Sequence, residues 1–209
     1  HYLNDELICQ TILDIARIRE GSRVLEIGPG EGALTAPMMA RGVDLVCVEK
    51  DRDLARKLTG RFPDAGVVNR DFLELAIDEI DCSDRIVIGN LPYNVSLAIL
   101  DRLLGDFPPF RSLTLMFQRE VAHRIVAQPN TRKYGLPSIM TAIDYSTSLA
   151  LEIPPSAFYP PPKVDSSVVQ FELLPEPLLA KEKRQAFLAE PSKIFRYRRK
   201  TLRNALVQS

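Results

Sequence analysis

The chain has 209 residues, 45% hydrophobic and 26% charged, with 27 basic and 27 acidic side chains and no net charge. That suffices for one full-sized core with a small appendage, and no apolar run approaches the roughly 18–20 residues that a membrane span needs. Three widely spaced cysteines, Cys9, Cys47 and Cys82, include no C-x-x-C pair, which argues against a disulfide framework or a zinc site and for a reducing, cytoplasmic setting.

The opening His1-Tyr2-Leu3-Asn4-Asp5 lacks the basic flank and apolar stretch of a signal peptide, and the missing initiator Met suggests that residues precede it. Asn4 or Asp5 can cap a helix to about Arg19, whose Leu7, Ile8, Ile12, Ile15 and Ala16 form one stripe. Strands are predicted at Arg23–Ile27, Leu45–Glu49, Gly66–Asn69, Arg85–Ile88 and Ser112–Phe117, with helices near 33–41, 51–60, 96–105 and 119–127. This alternation predicts an α/β fold, a mostly parallel sheet with helices on both faces. Two further strands, near Ser148–Glu152 and Ser167–Leu174, flank the proline-rich stretch Ile153 to Lys163 and bring the sheet to seven. Pro175-Glu176-Pro177 reads as a linker that divides a domain of 1–175 from 176–209. Beyond it a helical pattern runs from Lys181 to Leu206, with a break expected near Pro191. From Pro191 on, the chain holds Lys193, Arg196, Arg198, Arg199, Lys200 and Arg203 and no acid, a local footprint for a polyanion or else a solvated helix face.

The turn after the first strand reads Glu26-Ile27-Gly28-Pro29-Gly30-Glu31-Gly32. Glycines there let the backbone approach a ligand, and Glu49, at the end of the next strand, can accept from both ribose hydroxyls of a nucleoside. Gly28-x-Gly30-x-x-Ala33 also satisfies a dinucleotide fingerprint, so NAD stays open on this segment alone. The acid before the first glycine resembles motif I of class I methyltransferases, in which Glu26, Gly28, Gly30 and Gly32 belong to the cofactor site. Asp71, after the third strand, stands where such enzymes hold the cofactor's adenine.

Gly89-Asn90-Leu91-Pro92-Tyr93 follows the fourth strand and resembles motif IV of amino-methyltransferases. An adenine amine is a poor nucleophile because its lone pair is delocalised into the ring. The side-chain oxygen of Asn90 and the carbonyl of Leu91 can accept its two protons and stabilise the charge that develops on nitrogen. Pro92 stiffens the turn, and Tyr93 offers a face on which an extruded base stacks. No metal is needed for this chemistry, and the two histidines are not arranged to bind one.

Nearly the whole chain is similar to the ribosomal RNA small-subunit adenine dimethyltransferase family (KsgA-like), a group of Rossmann-like class I methyltransferases. Besides the two motifs, the resemblance rests on the opening five residues, Phe117 to Ile125, Tyr134-Gly135, Ile153 to Ser166 and Arg198 to Leu206. It implies transfer of methyl groups from S-adenosylmethionine, with S-adenosylhomocysteine as product, to the 6-amino groups of two adjacent adenines near the 3′ end of small-subunit rRNA. By matched position, His1, Leu3, Gly28, Glu49, Asp71 and Asn90 would contact the cofactor. Phe158, in the proline-rich stretch, would be a second stacking surface opposite Tyr93. Arg119, Arg124, Lys163, Arg198, Arg199, Lys200 and Arg203 would grip RNA phosphates. The implied partner is the immature small subunit, met by a monomer in ribosome biogenesis. The family continues on both sides of this stretch, so 176–209 is expected to open an incomplete C-terminal helical RNA-binding domain.

Other readings are a large-subunit enzyme of the macrolide-resistance type and a mainly non-catalytic assembly or mitochondrial transcription-factor-like relative. Leu91 and the triple proline favour the small subunit over the first, and the two intact motifs disfavour the second. An NAD-dependent oxidoreductase leaves Asn90 to Tyr93 unexplained.

Overall fold

Short, nearly continuous runs of apolar and β-branched residues build the central strands, which are buried on both faces. A computed structural model describes residues 1–196. In chain order the elements are β1 (Tyr2–Leu3), α1 (Glu6–Ile15), β2 (Arg23–Ile27), α2 (Thr35–Ala40), β3 (Asp44–Glu49), α3 (Arg52–Arg61), β4 (Gly66–Asn69) and β5 (Ile86–Asn90). There follow α4 (Ser96–Gly105), β6 (Ser112–Gln118), α5 (Arg119–Ile125), α6 (Leu136–Ala142), β7 (Tyr145–Ile153), β8 (Phe158–Tyr159), β9 (Ser166–Leu173) and α7 (Lys181–Arg196).

Among the described residues, seven strands make one sheet in the order β4-β3-β2-β5-β6-β9-β7. The first five run parallel and β9 is antiparallel to both its neighbours, so the expected mostly parallel sheet is present. The order reverses between β2 and β5, because β3 and β4 lie on one side of β2 and the later strands on the other. Ligands of open α/β sheets sit beyond the carboxyl ends of the strands at such a switch point.

The period-2 pattern sends residues to two cores, one on each face of the sheet. Leu25, Val87, Leu115 and Phe171 pack with Leu100, Leu103 and Leu104 of α4 and Ala122 and Ile125 of α5. Val24, Ile86, Ile88, Met116 and Val168 pack on the other face with Ile12 and Leu13 of α1 and Met38 of α2. Helix α1 starts where Asp5 accepts from the Ile8 amide at 3.0 Å, the cap that the sequence offers.

Three features depart from the sequence reading. The first is a two-stranded antiparallel ribbon, β1 with β8, that ties the start of the chain to the proline-rich loop through the pairs Tyr2–Tyr159 and Leu3–Phe158. Helix α6, the second, had no signal in the expectations. Third, α7 runs through Pro191 without the expected break. A proline inside a helix costs about 3 kcal/mol or more, but α7 is anchored on both sides of it. Before it, Arg184 donates to the Leu104 carbonyl and to the Asp144 carboxylate; after it, the ring of Phe195 meets Tyr134 edge-on at 6.4 Å. The helix therefore packs on the main sheet domain at least to this point.

Candidate active site

A cleft of about 910 Å³ opens at the switch point. Its walls come from the segments that the motifs mark: His1 to Leu3, the glycine turn after β2, the end of β3 with the start of α3, and Asn90 to Asn94 after β5. The sequence separates these segments widely; the parallel sheet gathers the last three at the carboxyl ends of β2, β3 and β5, and the β1–β8 ribbon brings His1 to Leu3 to them.

The floor is the glycine turn. Gly30 adopts φ +57°, and a Cβ there would stand 2.8 Å from the ring of Tyr2, so only glycine lets the turn and β1 approach this closely. Its amide donates to Glu49 Oε2 at 3.0 Å, while Glu49 Oε1 accepts from the Asp51 amide at 2.9 Å. The carboxylate at the end of β3 is thereby held still at the cleft wall. Glu26 is buried, and its Oε2 accepts from Thr35 Oγ1 at 2.7 Å and from Cys47 Sγ at 3.5 Å. Burial pushes its pKa up to about 7, against the two hydrogen bonds, and the nearby charge of Glu49 adds to the rise.

The opposite wall is the turn after β5. Leu91 sends its side chain into the core and Asn90 faces the cleft. The amide nitrogen of Asn90 donates to the His1 carbonyl at 3.3 Å, which leaves the carboxamide oxygen for another partner. Among the described residues, no donor reaches the Leu91 carbonyl. The hydroxyl of Tyr93 shares a hydrogen bond with Ser166 Oγ at 2.6 Å, and its ring lies 5.9 Å from that of His1. Nδ1 of His1 in turn donates to the Pro160 carbonyl at 2.6 Å, so the start of the chain braces both the turn and the proline-rich loop.

The structure brings together at this cleft His1, Leu3, Glu26, Gly28, Gly30, Glu49, Asn90, Leu91, Pro92 and Tyr93. It does not bring Gly32, Asp71 or Phe158 to its lining. Gly32 faces a neighbouring cavity of about 520 Å³, with Leu58 and Phe62 close beside it. Asp71 instead accepts from Lys50 Nζ at 2.7 Å and from the Leu73 amide at 3.0 Å. The Lys50 ammonium is the main reason that the Asp71 carboxyl is held below the usual range. Phe158 is buried against Leu3 in the apolar core below the cleft, because its place in β8 points it inward. It presents no face opposite Tyr93 in this conformation.

The basic residues divide as well. Arg119 is committed to Asp165 at 2.5 Å, an ion pair that joins α5 to the end of the proline-rich loop. Lys163 is exposed and Arg124 half-buried. Arg198, Arg199, Lys200 and Arg203 lie outside the described residues. Lys50, Asp51, Arg52 and Asn94 line the cleft and were not singled out in the sequence; Lys50 to Arg52 directly follow Glu49, which was the available signal.

The model of the ribosomal RNA adenine dimethylase family matches residues 1–209. The chain belongs to that family. It is 36% identical over 214 residues to ribosomal RNA small subunit methyltransferase A of Alkaliphilus oremlandii, covering 99% of this chain and 75% of that protein. With the protein of the same name from Acinetobacter baylyi it shares 39% over 217 residues, covering 99% and 77%. Among solved structures, a dimethyladenosine transferase from Plasmodium falciparum superposes with a TM-score of 0.80 at 25% identity, over 98% of this chain and 74% of that one. The 23S rRNA methyltransferase ErmE gives 0.76 at 27%, over 100% and 84%.

Family and fold imply S-adenosylmethionine, and the residues at the cleft fit it. A Cβ on Gly28 would meet nothing within 4 Å, so the turn leaves open a cradle that a side chain would fill. The fixed Glu49 carboxylate suits a pair of ribose hydroxyls, and the four carboxyl groups of the lining, Glu26, Glu31, Glu49 and Asp51, suit a cationic ligand.

Proposed function

We propose that this protein transfers methyl groups from S-adenosylmethionine to the 6-amino groups of adenines in small-subunit ribosomal RNA, two to each of two adjacent adenines, during ribosome maturation. The observation that carries the reading is the orientation of Asn90. Its nitrogen donates to the His1 carbonyl, so its oxygen faces the cleft beside Tyr93 together with the Leu91 carbonyl, and neither oxygen accepts from another of the described residues.

When bound, S-adenosylmethionine supplies an electrophilic methyl group. The chain's residues do the rest. Gly28, Gly30 and Glu49 hold the nucleoside, with Glu26 behind them. His1 and Leu3 close the cleft from the side. The oxygens of Asn90 and Leu91 accept the two protons of the adenine amine, favouring a tetrahedral nitrogen and stabilising its growing positive charge; preorganised groups of this kind typically contribute about 10²–10³ in rate. Pro92 fixes the turn and Tyr93 stacks on the base, while its bond to Ser166 stops the ring from turning. Lys163, Arg124 and the basic segment from Arg198 to Arg203 contribute affinity for phosphates. Asp71 serves the adenine end of the cofactor site once Lys50 moves aside, and Phe158 supports the base pocket from beneath.

The small subunit is favoured over the large by three relatives at 36–39% identity, each named for the small subunit. Incubation with methyl-labelled cofactor and small subunits that lack these methyl groups, followed by mapping of the label, tests the proposal. Label on adjacent adenines near the 3′ end of the rRNA is expected. Label on large-subunit rRNA alone, or none, overturns it.

A further inference from the structure

The face of the β1–β8 ribbon turned away from the core bears two tyrosines. In the register, Leu3 faces Phe158 and Tyr2 faces Tyr159. The first pair is buried at 3% exposure each, whereas Tyr2 is 40% and Tyr159 72% exposed. Directly opposed residues of an antiparallel pair share one face, so both tyrosines belong to the outer face, where the ring of Tyr2 lies against Gly30 of the glycine turn and that of Tyr159 stands in solvent. Tyr2 also lines the cleft, and His1, whose ring meets that of Tyr93, is bonded to the carbonyl of Pro160 next to Tyr159. Tyr159 thus stands beside the edge of the cleft formed by His1 and Tyr2.

Its backbone is fixed by the ribbon, yet its hydroxyl bonds to no described residue. Four positions on stands Lys163, exposed and without a partner among the described residues. An exposed aromatic ring mounted on a paired strand, four residues before an exposed lysine, has the chemistry of a single-stranded nucleic-acid platform. A base that enters the cleft leaves its stack and deprives the next base of a partner.

We infer that Tyr159 stacks on the nucleotide adjacent to the adenine in the cleft and so positions the RNA strand at the mouth. This rests on the proposed rRNA adenine methylation; Tyr159 is a positioning residue, and the reacting atoms are left to Asn90 and Leu91.

The test compares wild type, Tyr159→Ala and Tyr159→Phe on unmethylated small subunits, with separate calorimetric titration of S-adenosylmethionine. Loss of one base-stacking contact raises the KM for small subunits by roughly tenfold to a hundredfold in Tyr159→Ala, with a much smaller change in kcat. Tyr159→Phe restores KM because it keeps the ring, and cofactor affinity stays the same in all three. A KM within twofold of wild type for Tyr159→Ala overturns the inference. So does failure of Tyr159→Phe to rescue, which would assign the effect to the hydroxyl, or a parallel loss of cofactor affinity. If wild type itself transfers no methyl groups to small subunits, the rRNA reading falls and this inference with it, an outcome distinct from a defect confined to the variants.

Discussion

Replacing Glu26 by glutamine should stabilise the ligand-free protein, and the gain should depend on pH. Glu26 is buried between β2 and α2, and its pKa stands at about 7 against an ordinary value of 4.5. The folded state therefore holds a proton that the unfolded chain has already released, so stability falls as pH rises from 4.5 to 7. The 2.5-unit difference corresponds to about 3 kcal/mol, all of it lost above pH 7. Glutamine can still accept from Thr35 but carries no charge to bury. Glu26→Gln should then melt close to wild type near pH 4.5 and roughly 6–12 °C above it at pH 8, at about 2–4 °C per kcal/mol for a chain of this size. Thermal melts followed by circular dichroism across pH 4.5–8.5 measure the difference directly. Excess S-adenosylmethionine should narrow the gap at pH 8, since a bound cation favours the carboxylate over the amide. A melting difference that stays constant over the whole range would refute the linkage, because steric effects of the substitution do not titrate.

Asn90→Ala should lower methyl transfer by at least about a hundredfold with an unchanged melting curve; turnover near wild type in a single-turnover assay would remove Asn90 from the mechanism. Gly30→Ala forces a Cβ against the Tyr2 ring at a left-handed φ, and should cost about 1–3 kcal/mol together with most of the calorimetric affinity for S-adenosylmethionine. Native affinity in that variant would mean that β1 yields freely. Arg184→Ala leaves the buried Asp144 carboxylate without its cation and should cost about 3–5 kcal/mol in urea unfolding; a loss below 1 kcal/mol would argue against α7 docking on the sheet domain.

Much of the fold was legible because its signals are periodic. The strands Arg23–Ile27 and Gly66–Asn69 lie where short apolar, β-rich runs put them, and five such runs between helical stretches imply a parallel sheet. The β1–β8 ribbon was not legible. Two residues carry no period, and the partner strand, Phe158–Tyr159, is remote in sequence. That ribbon decides the fate of Phe158: the motif says where the residue is, but only the register says that its ring points inward and that of Tyr159 outward. Pairing hid Asp71 in the same way, since nothing local to Asp71 reveals that Lys50 reaches it. Pro191 misled because its helix is held by contacts to Leu104, Asp144 and Tyr134, remote in sequence. At the cleft, by contrast, the positions of Gly28, Gly30, Glu49 and Asn90 were readable, since each lies at or just beyond the end of a strand that a short apolar run marks.

The most direct measurement is a crystal structure with adenosine and S-adenosylhomocysteine bound. The 6-amino nitrogen should lie about 3 Å from both the Asn90 carboxamide oxygen and the Leu91 carbonyl, with the ring against Tyr93 and the amine facing the sulfur. An adenine bound elsewhere, or an Asn90 oxygen engaged by the protein with no room for a base beside the sulfur, would contradict the proposed chemistry.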